Sequence, residues 1–132
     1  MRVGVPSEIK PGEHRVGLTP TAAREYAAQG HGVIVEAGAG FGAGYADEAY
    51  VRAGARLAPD AEAVFREATL IVKVKEPQEV EWRRLTPDHI LFTYLHLAPD
   101  PAQTDGLLKS GCAACRGCRR PGSRCWAAGW SA

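Results

Sequence analysis

The sequence predicts an α/β fold, in which a parallel sheet carries connecting helices on both faces. Short runs rich in β-branched residues, such as residues 31–36, alternate along the chain with stretches of helix-forming residues. Glycine and proline separate these segments. The runs at residues 70–72 and 90–92 are continuously apolar, which is typical of strands buried in a parallel sheet. Strands that alternate with helices at this pace favour such a sheet.

The predicted elements begin with a strand at Arg2–Val5, and proline and glycine then indicate a polar loop over residues 6–15. Thr19 can cap a helix whose first position is Pro20, where the missing N–H is harmless. The remaining predicted elements are the helix at 20–29, a strand at 31–36, a helix at 47–53, a short strand near 56–57, a helix at 60–67, a strand at 70–74, a helix at 79–85, a strand at 89–94 and a helix at 99–110.

A glycine-rich connection at residues 38–44 lies between a predicted strand and a predicted helix. Glycines there can let backbone N–H groups approach a phosphate, so a cofactor contact is one interpretation. The dinucleotide spacing fails, because Ala43 or Tyr45 stands where the last glycine is required. We therefore favour a structural connection with special backbone angles, and we expect no cofactor-binding residue in this chain.

The composition is that of one soluble globular domain: 132 residues, of which 45% are hydrophobic and 23% charged. No apolar run approaches the ~20 residues of a membrane helix, and the first residues resemble no signal peptide. We therefore expect a cytoplasmic protein with no membrane partner. Residues 1–111 carry 12 basic and 15 acidic side chains, a formal charge of −3. This mildly acidic body gives no electrostatic reason to expect a nucleic-acid partner.

The composition changes after Gly111, because all four cysteines, at positions 112, 115, 118 and 125, follow it. Closely spaced thiolates can bind zinc or iron–sulfur clusters, but the spacing fits neither pattern well, and we expect no metal site. We favour a frameshifted or truncated end, because the residues that dominate this stretch have G/C-rich codons. We expect an incomplete domain over residues 1–111 and a tail over residues 112–132 that is frameshift-derived or disordered.

Five motifs stand in order along the chain: MRVGVPSEIK at 1–10, EHRVGLTP at 13–20, GAG at 38–40, VKVKEP at 72–77 and TYLHLA at 93–98. Together they resemble the N-terminal domain of the bacterial alanine dehydrogenases, without apparent gaps as far as Gly111. The related transhydrogenase α subunit shares the opening motif and the glycine-rich connection. It lacks a histidine at the position of His96, which therefore favours alanine dehydrogenase.

The resemblance implies the reversible oxidative deamination of L-alanine to pyruvate and ammonia, with NAD as the cofactor. Family members place a Rossmann NAD-binding domain after the stretch matched here, and they usually assemble as homohexamers. We expect this chain to lack that domain, to bind no NAD by itself and to be inactive alone. The alternatives are a transhydrogenase-like domain, a regulatory module that binds a carboxylate without chemistry, and a metal-binding protein that acts through its cysteines.

Three basic side chains suit an amino-acid dehydrogenase. The guanidinium of Arg15 can clamp an α-carboxylate through two N–H groups, although a solvated loop arginine is the alternative. The ammonium of Lys75 can bind the developing carbonyl oxygen, although it could instead extend to water, and Lys73 two residues earlier indicates that a lysine here needs no special role. The imidazole of His96 exchanges protons near neutral pH, although it could simply bond to backbone at a strand end. With the resemblance, we predict that Arg15 and Lys75 bind substrate and that His96 is catalytic.

Lys75 and His96 each follow a predicted strand, and ligands bind at this edge of open α/β sheets. Glu8, Glu76 and Tyr94 are candidates for orienting the basic groups. The other three histidines, His14, His31 and His89, are expected to be structural.

Overall fold

A computed structural model describes residues 1–116, which form a six-stranded sheet and five α-helices. The strands are β1 (Arg2–Val5), β2 (Gly32–Glu36), β3 (Arg56–Ala58), β4 (Leu70–Val72), β5 (Ile90–Thr93) and β6 (Ala113–Arg116). The helices are α1 (Pro20–Ala28), α2 (Asp47–Arg52), α3 (Ala61–Glu67), α4 (Glu79–Trp82) and α5 (Pro101–Ser110), with a 3-10 turn at Phe41–Ala43.

All neighbouring strands pair in parallel, in the order β3-β2-β1-β4-β5-β6. Val3 of β1 lies opposite Val33 of β2 on one side and opposite Leu70 of β4 on the other. The chain adds β2 and β3 on one side of β1 and then β4, β5 and β6 on the other side. The predicted parallel α/β fold is confirmed. Ligands of such sheets bind beyond the carboxyl ends of the strands where this direction reverses, here β1 and β4.

Helices cover both faces of the sheet, as predicted. α1 and α2 pack on one face around Val35 and Tyr50, whereas α3, α4 and α5 pack on the other face around Ile71 and Leu91. The Tyr50 hydroxyl donates a 2.8 Å hydrogen bond to the Leu18 carbonyl, and burial raises the pKa of Tyr50 to about 12. Each face of the sheet therefore has its own apolar core.

Capping side chains set the helix boundaries. Thr19 Oγ1 accepts a backbone N–H of the first turn of α1 at 3.2 Å, which confirms the predicted start of this helix. Asp60 and Asp100 cap α3 and α5 in the same way, at 2.8 Å and 3.0 Å. Because Asp100 is the cap, α5 begins two residues later than predicted. α4 is shorter than predicted, a single turn whose start is closed by a reciprocal capping box between Gln78 and Glu81.

The glycine-rich connection at residues 38–44 is shaped by close packing. Gly38 has a left-handed backbone with φ of 81°, and its N–H donates a 2.8 Å hydrogen bond to Asp47. Gly40 lies so close to α2 that a Cβ atom there would be 2.7 Å from the Tyr50 ring. These contacts give two of the glycines a structural role.

The sheet continues past residue 111, beyond the last element that the sequence predicts. β6 pairs in parallel with β5, with Ala113 opposite Ile90. Gly111 ends α5 with a left-handed backbone at φ of 68°, and Cys112 is buried after it. An apolar run is not required here, because strand pairing uses the backbone and a buried cysteine behaves as a small apolar residue. β6 is therefore a strand that lies beyond the last predicted element, the helix at 99–110.

Residues 117–132 lie outside the described part of the chain, so the predictions made for Cys118, Cys125 and most of the tail fall there. The frameshift-derived or disordered tail and the domain boundary at residue 111 stay predictions. Within residues 1–116, no helix combines the length and the apolar character that crossing a bilayer requires.

Candidate functional site

The loops that follow β1, β4 and β5 meet at the carboxyl-terminal edge of the sheet. Val72 of β4 lies opposite Phe92 of β5, so Lys75 and His96 follow neighbouring strands. The Thr93 hydroxyl donates a 2.8 Å hydrogen bond to the Lys75 carbonyl and thereby joins the two strand ends. The candidate residues therefore lie beside the point where the strand order reverses.

Glu76 joins His96 to Lys10 at this edge. His96 Nδ1 lies 3.2 Å from Glu76 Oε2, and the Lys10 ammonium forms an ion pair with Glu76 Oε1. Glu76 is buried, whereas the side chains of His96 and Lys10 are 57% and 37% exposed. We call Lys10, Glu76 and His96 the outer cluster. Its single carboxylate is shared between a lysine from the loop after β1 and an imidazole from the loop after β5.

The charge of Glu76 determines which nitrogen of His96 carries a proton. Burial opposes ionisation of Glu76, but hydrogen bonds from Lys10, from its own backbone and from His96 together lower its pKa to about 2. An ionised carboxylate only accepts hydrogen bonds, so His96 Nδ1 must donate to it. In the neutral imidazole Nε2 is then the basic nitrogen, and it is the atom that can take up a proton.

Arg15 lies in the loop after β1 and is bound by Glu13. Arg15 Nε and Nη2 donate to the two carboxylate oxygens of Glu13 at 2.8 Å and 2.6 Å, and the Arg15 backbone N–H donates at 2.9 Å. Neither side-chain contact uses Nη1, which carries further N–H donors. The Arg15 side chain is 64% exposed. Arg15 can therefore bind a second carboxylate without releasing Glu13.

The charged groups at this edge act on one another. Hydrogen bonds from the side chain and backbone of Arg15 lower the pKa of Glu13 to about 2, and Lys75 adds a smaller effect in the same direction. Glu13 raises the pKa of Arg15 through its hydrogen bonds, and the charge of Glu8 contributes less strongly. The three loops thus bring the predicted residues into one electrostatic environment, although within residues 1–116 no hydrogen bond or ion pair joins Arg15 to Lys75.

Lys73, the other lysine of the VKVKEP motif, is buried. Its side chain is 1% exposed, and its ammonium lies 2.6 Å from Glu81 Oε1 and 3.3 Å from Glu8 Oε2. The side chains of both glutamates are also almost inaccessible, at 2% exposed. Lys73, to which the sequence assigned no special role, therefore has two specific buried partners. We call Glu8, Lys73 and Glu81 the inner cluster.

Both carboxylates of the inner cluster also bind backbone N–H groups. Glu8 accepts the N–H of Val74 at 2.7 Å and that of Lys75 at 3.4 Å. Glu81 Oε2 accepts the N–H of Gln78 at 2.8 Å. Burial raises the pKa of Glu81, against the attraction of the buried ammonium. The inner cluster thus holds the loop on which Lys75 stands.

Four charged residues at this edge of the sheet were missed by sequence reasoning: Lys10, Glu13, Lys73 and Glu81. A signal existed for Lys73, because it stands two residues after Ile71 and therefore on the same face of a buried strand. A lysine there needs a partner. The partnership of Lys10 with Glu76 joins residues 66 positions apart, and no local pattern could have indicated it.

Among the histidines expected to be structural, His89 is buried and fully bonded. Its Nδ1 accepts the backbone N–H of Thr86 at 2.9 Å, and its Nε2 donates to the Phe65 carbonyl at 2.8 Å. The ring therefore joins the start of β5 to α3. His31 lies beside the ring of Tyr26, with 6.0 Å between the ring centroids.

Within residues 1–116, no group of three or more His, Cys, Asp or Glu side chains is arranged to hold a metal ion. Burial raises the pKa of the Cys112 thiol, which disfavours the thiolate that metals bind. Cys118 and Cys125 lie outside this part of the chain.

Residues 4–116 match the family described as "Alanine dehydrogenase/PNT, N-terminal domain". The chain belongs to this family, and the resemblance recognised in its motifs is confirmed.

The individual relatives are alanine dehydrogenases. The alanine dehydrogenase of Halomonas elongata is 53% identical over 111 residues, which are 84% of this chain and 30% of that protein. The alanine dehydrogenase of Mycobacterium tuberculosis strain H37Rv is 48% identical over 111 residues, again 84% of this chain and 30% of that protein. The chain therefore spans about 30% of the length of these curated relatives.

Two solved structures share the fold. An L-alanine dehydrogenase superposes with a TM-score of 0.85 at 45% identity, over 88% of this chain and 32% of its own. A transhydrogenase from Sinorhizobium meliloti superposes with a TM-score of 0.81 at 25% identity, over 88% of this chain and 34% of its own. The two branches of the family thus share this architecture, while the sequence is more similar to the alanine dehydrogenase.

Proposed function

We propose that this chain is the substrate-binding domain of an enzyme that interconverts L-alanine with pyruvate and ammonia, using NAD. The observation that carries the proposal is the His96–Glu76 pair next to Lys75, at the reversal point of a sheet whose sequence is 53% identical to an alanine dehydrogenase. The greater similarity to alanine dehydrogenases than to a transhydrogenase supports the same choice. The homohexameric assembly and the cytoplasmic location implied by the resemblance stay predictions.

The glycine-rich connection does not fit the phosphates of NAD. The Gly38 N–H already donates to the carboxylate of Asp47, and a phosphate in its place would meet that negative charge. A Cβ atom at Gly40 would touch the Tyr50 ring, so this glycine serves packing and not a ligand. The curated relatives extend well beyond the region matched here, and we propose that NAD is bound by that additional region.

Arg15 and Lys75 would bind the substrate through different groups. The unused Nη1 face of Arg15 can hold the α-carboxylate, because Glu13 fixes the guanidinium plane from the opposite edge. The ammonium of Lys75 is a compact cation that can hydrogen-bond the carbonyl oxygen of pyruvate. The negative charge of Glu13 is neutralised by Arg15, so it does not repel the incoming anion strongly.

His96 would move the proton. Interconversion of an amino acid and a 2-oxo acid passes through a carbinolamine, and its formation and collapse need a group that takes up and returns a proton. His96 Nε2 can do so, because Glu76 holds Nδ1 as the donor and stabilises the imidazolium that forms. The 57% exposure of the His96 side chain leaves it within reach of substrate and water.

Calorimetric titration of the chain with pyruvate tests the binding roles. Arg15→Ala is expected to weaken binding about tenfold or more, because a charge-assisted hydrogen bond is worth about 1.5–3 kcal/mol. Arg24→Ala, which removes an exposed arginine of α1, is the matched control and should leave binding unchanged. Equal affinities for the wild type and Arg15→Ala would contradict the clamp.

Oxidation of NADH in the presence of pyruvate and ammonia separates an enzyme from a regulatory module that only binds carboxylates. We expect no turnover from the chain by itself, and measurable turnover would contradict that prediction. In a protein that also contains the proposed NAD-binding region, His96→Ala should lower kcat far more than it raises KM, because the imidazole acts on the reaction and not on the carboxylate. An unchanged kcat in His96→Ala would remove the acid/base role.

A further inference from the structure

We propose that the inner cluster of Glu8, Lys73 and Glu81 is a positioning device for the loop that presents Lys75 and Glu76 to the substrate. The proposal rests on the proposed function in one respect, namely that Lys75 contacts substrate. Its structural part, that the buried charges hold this loop in one arrangement, stands on contacts within the chain.

The three charges of the inner cluster come from three separate segments. Glu8 belongs to the loop after β1, Lys73 directly follows β4, and Glu81 lies on α4. Their side chains are 1–2% exposed, so all three have lost their hydration. Removing charges from water is costly, and apolar side chains of similar size would often give equal stability. Stability alone therefore gives a weak reason for this cluster, whereas fixing the relative position of three segments gives a specific one.

The cluster acts on the backbone around Lys75. The N–H of Lys73 still follows the sheet and donates to the Phe92 carbonyl at 3.0 Å. Beyond it the N–H groups of Val74 and Lys75 turn to the carboxylate of Glu8, at 2.7 Å and 3.4 Å. On the other side, the Thr93 hydroxyl donates to the Lys75 carbonyl at 2.8 Å. The peptide groups of Lys75 are thus held from two directions, by β5 and by Glu8.

Lys73 is the central member of the cluster. Its ammonium is in ion-pair distance of both carboxylates, at 2.6 Å from Glu81 and 3.3 Å from Glu8. Without this cation, the buried carboxylate of Glu8 would lack its partner charge and could not keep its place under the loop. Lys73 therefore positions Lys75 through Glu8, although it does not itself contact the substrate.

The chain contains a matched ion pair outside the cluster. Lys109 and Asp105 on α5 are also 2.6 Å apart, but their side chains are 76% and 61% exposed. Exposed pairs of this kind contribute little to stability. Substitutions in this pair therefore repeat the chemistry of the Lys73 substitutions at a site without burial.

Amide hydrogen exchange of the full chain tests the structural part. In Lys73→Met, the N–H groups of Val74 and Lys75 are expected to exchange about tenfold faster or more, because the charged hydrogen bond that protects them is lost. Amides of β2, which lies on the opposite side of β1 from β4, provide the internal reference, and Lys109→Met provides the matched control. If the protection of Val74 and Lys75 in folded Lys73→Met equals that of the wild type, the proposal is wrong.

The double variant Lys73→Met/Glu81→Gln distinguishes positioning from a general contribution to stability. It retains the net charge of the wild-type cluster, because one buried cation and one buried carboxylate are removed together. Denaturant unfolding is expected to show recovery of much of the stability lost in Lys73→Met, whereas pyruvate binding is expected to stay about tenfold weaker than in the wild type. Recovery of pyruvate binding together with stability would mean a merely structural role and would overturn the proposal.

Failure of the proposed function gives a different pattern. If wild-type chain binds no pyruvate, while Arg15→Ala and Lys75→Ala behave identically to it, the substrate assignment fails. The amide exchange of Val74 and Lys75 still decides by itself whether Lys73 positions the loop. If wild-type chain binds pyruvate and Lys73→Met binds it equally well despite lost amide protection, only the link from the inner cluster to the substrate fails.

Discussion

The inner and outer clusters use the same chemistry in opposite surroundings. Each pairs a lysine with glutamate, and each has one member in the loop after β4, which is Lys73 in the inner cluster and Glu76 in the outer cluster. The inner cluster is 1–2% exposed, whereas the outer cluster carries a lysine that is 37% exposed and an imidazole that is 57% exposed. One loop can thus be held by buried charges on one side and still present groups that exchange protons or ligands on the other side.

The two clusters differ because water reaches the outer cluster and is excluded from the inner cluster. A buried ion pair has lost its hydration and exchanges its proton or partner only at high cost, so it defines one geometry. A pair that water reaches is weakened by screening but can release one partner for a ligand. The inner cluster is therefore suited to holding Lys75, and the outer cluster to moving a proton through His96.

The largest effect is expected when the inner cluster loses its cation. Lys73→Met should lower the free energy of unfolding by about 3–5 kcal/mol, because it leaves buried carboxylates without their partner. Urea denaturation at neutral pH measures this value. In the exposed pair, Lys109→Met should cost less than about 1 kcal/mol. Similar losses in the two variants would break the distinction between buried and exposed pairs.

A smaller effect of opposite sign is expected at Gln103, a buried polar residue without the partners that the inner cluster has. Its side-chain nitrogen and oxygen have no hydrogen-bond partner within the described residues, although the residue is 1% exposed. Gln103→Leu should raise the free energy of unfolding by about 1–3 kcal/mol, because it removes a buried group that is not satisfied. Thermal and urea unfolding measure the change. Gln29→Leu, at an exposed position, is the control, and destabilisation by Gln103→Leu would show that the amide has a partner.

The smallest effect is expected in the outer cluster, and it depends on pH. The pKa of Glu76 is about 2 in the folded chain and 4.5 in the reference state, so the ionised carboxylate stabilises the fold. That contribution is fully present above about pH 4.5 and is lost as the pH falls through the folded value near 2. The difference in unfolding free energy between wild type and Glu76→Gln should therefore shrink across this window. A difference that is constant from pH 7 to about pH 2 would contradict the ionised state of Glu76.

Most of the fold could be predicted because its signals are local. Thr19 followed by Pro20 marks the start of α1, and the apolar run that begins at Leu70 marks β4. β6 could not be predicted in this way, since Ala113–Arg116 has no apolar run and forms a strand through its pairing with β5. The length of α4 was also overestimated, because its end depends on packing and not on a breaker in the sequence.

The candidate site was only partly accessible to sequence reasoning. The positions of Lys75 and His96 after neighbouring strands follow from element order, and the motifs added Arg15 by resemblance. The contacts of Glu76 with Lys10 and of Glu8 with Lys73 could not be predicted, because each joins residues more than 60 positions apart. Only the return of β4 to the side of β1 brings these partners together.

By itself, the sequence determined the alternation of strands and helices, the family, and the residue types that can bind a carboxylate or exchange a proton. These properties are local or carried by short motifs, so they can be recognised before folding is considered. The tertiary structure decided which lysine is buried and which stays partly exposed. Lys73 and Lys75 stand two positions apart in the same motif. On a continuous strand, the side chains of both would point to the same face of the sheet. The end of β4 at Val72 separates them, because beyond it the loop turns, and it is the Lys73 ammonium that forms ion pairs with Glu8 and Glu81.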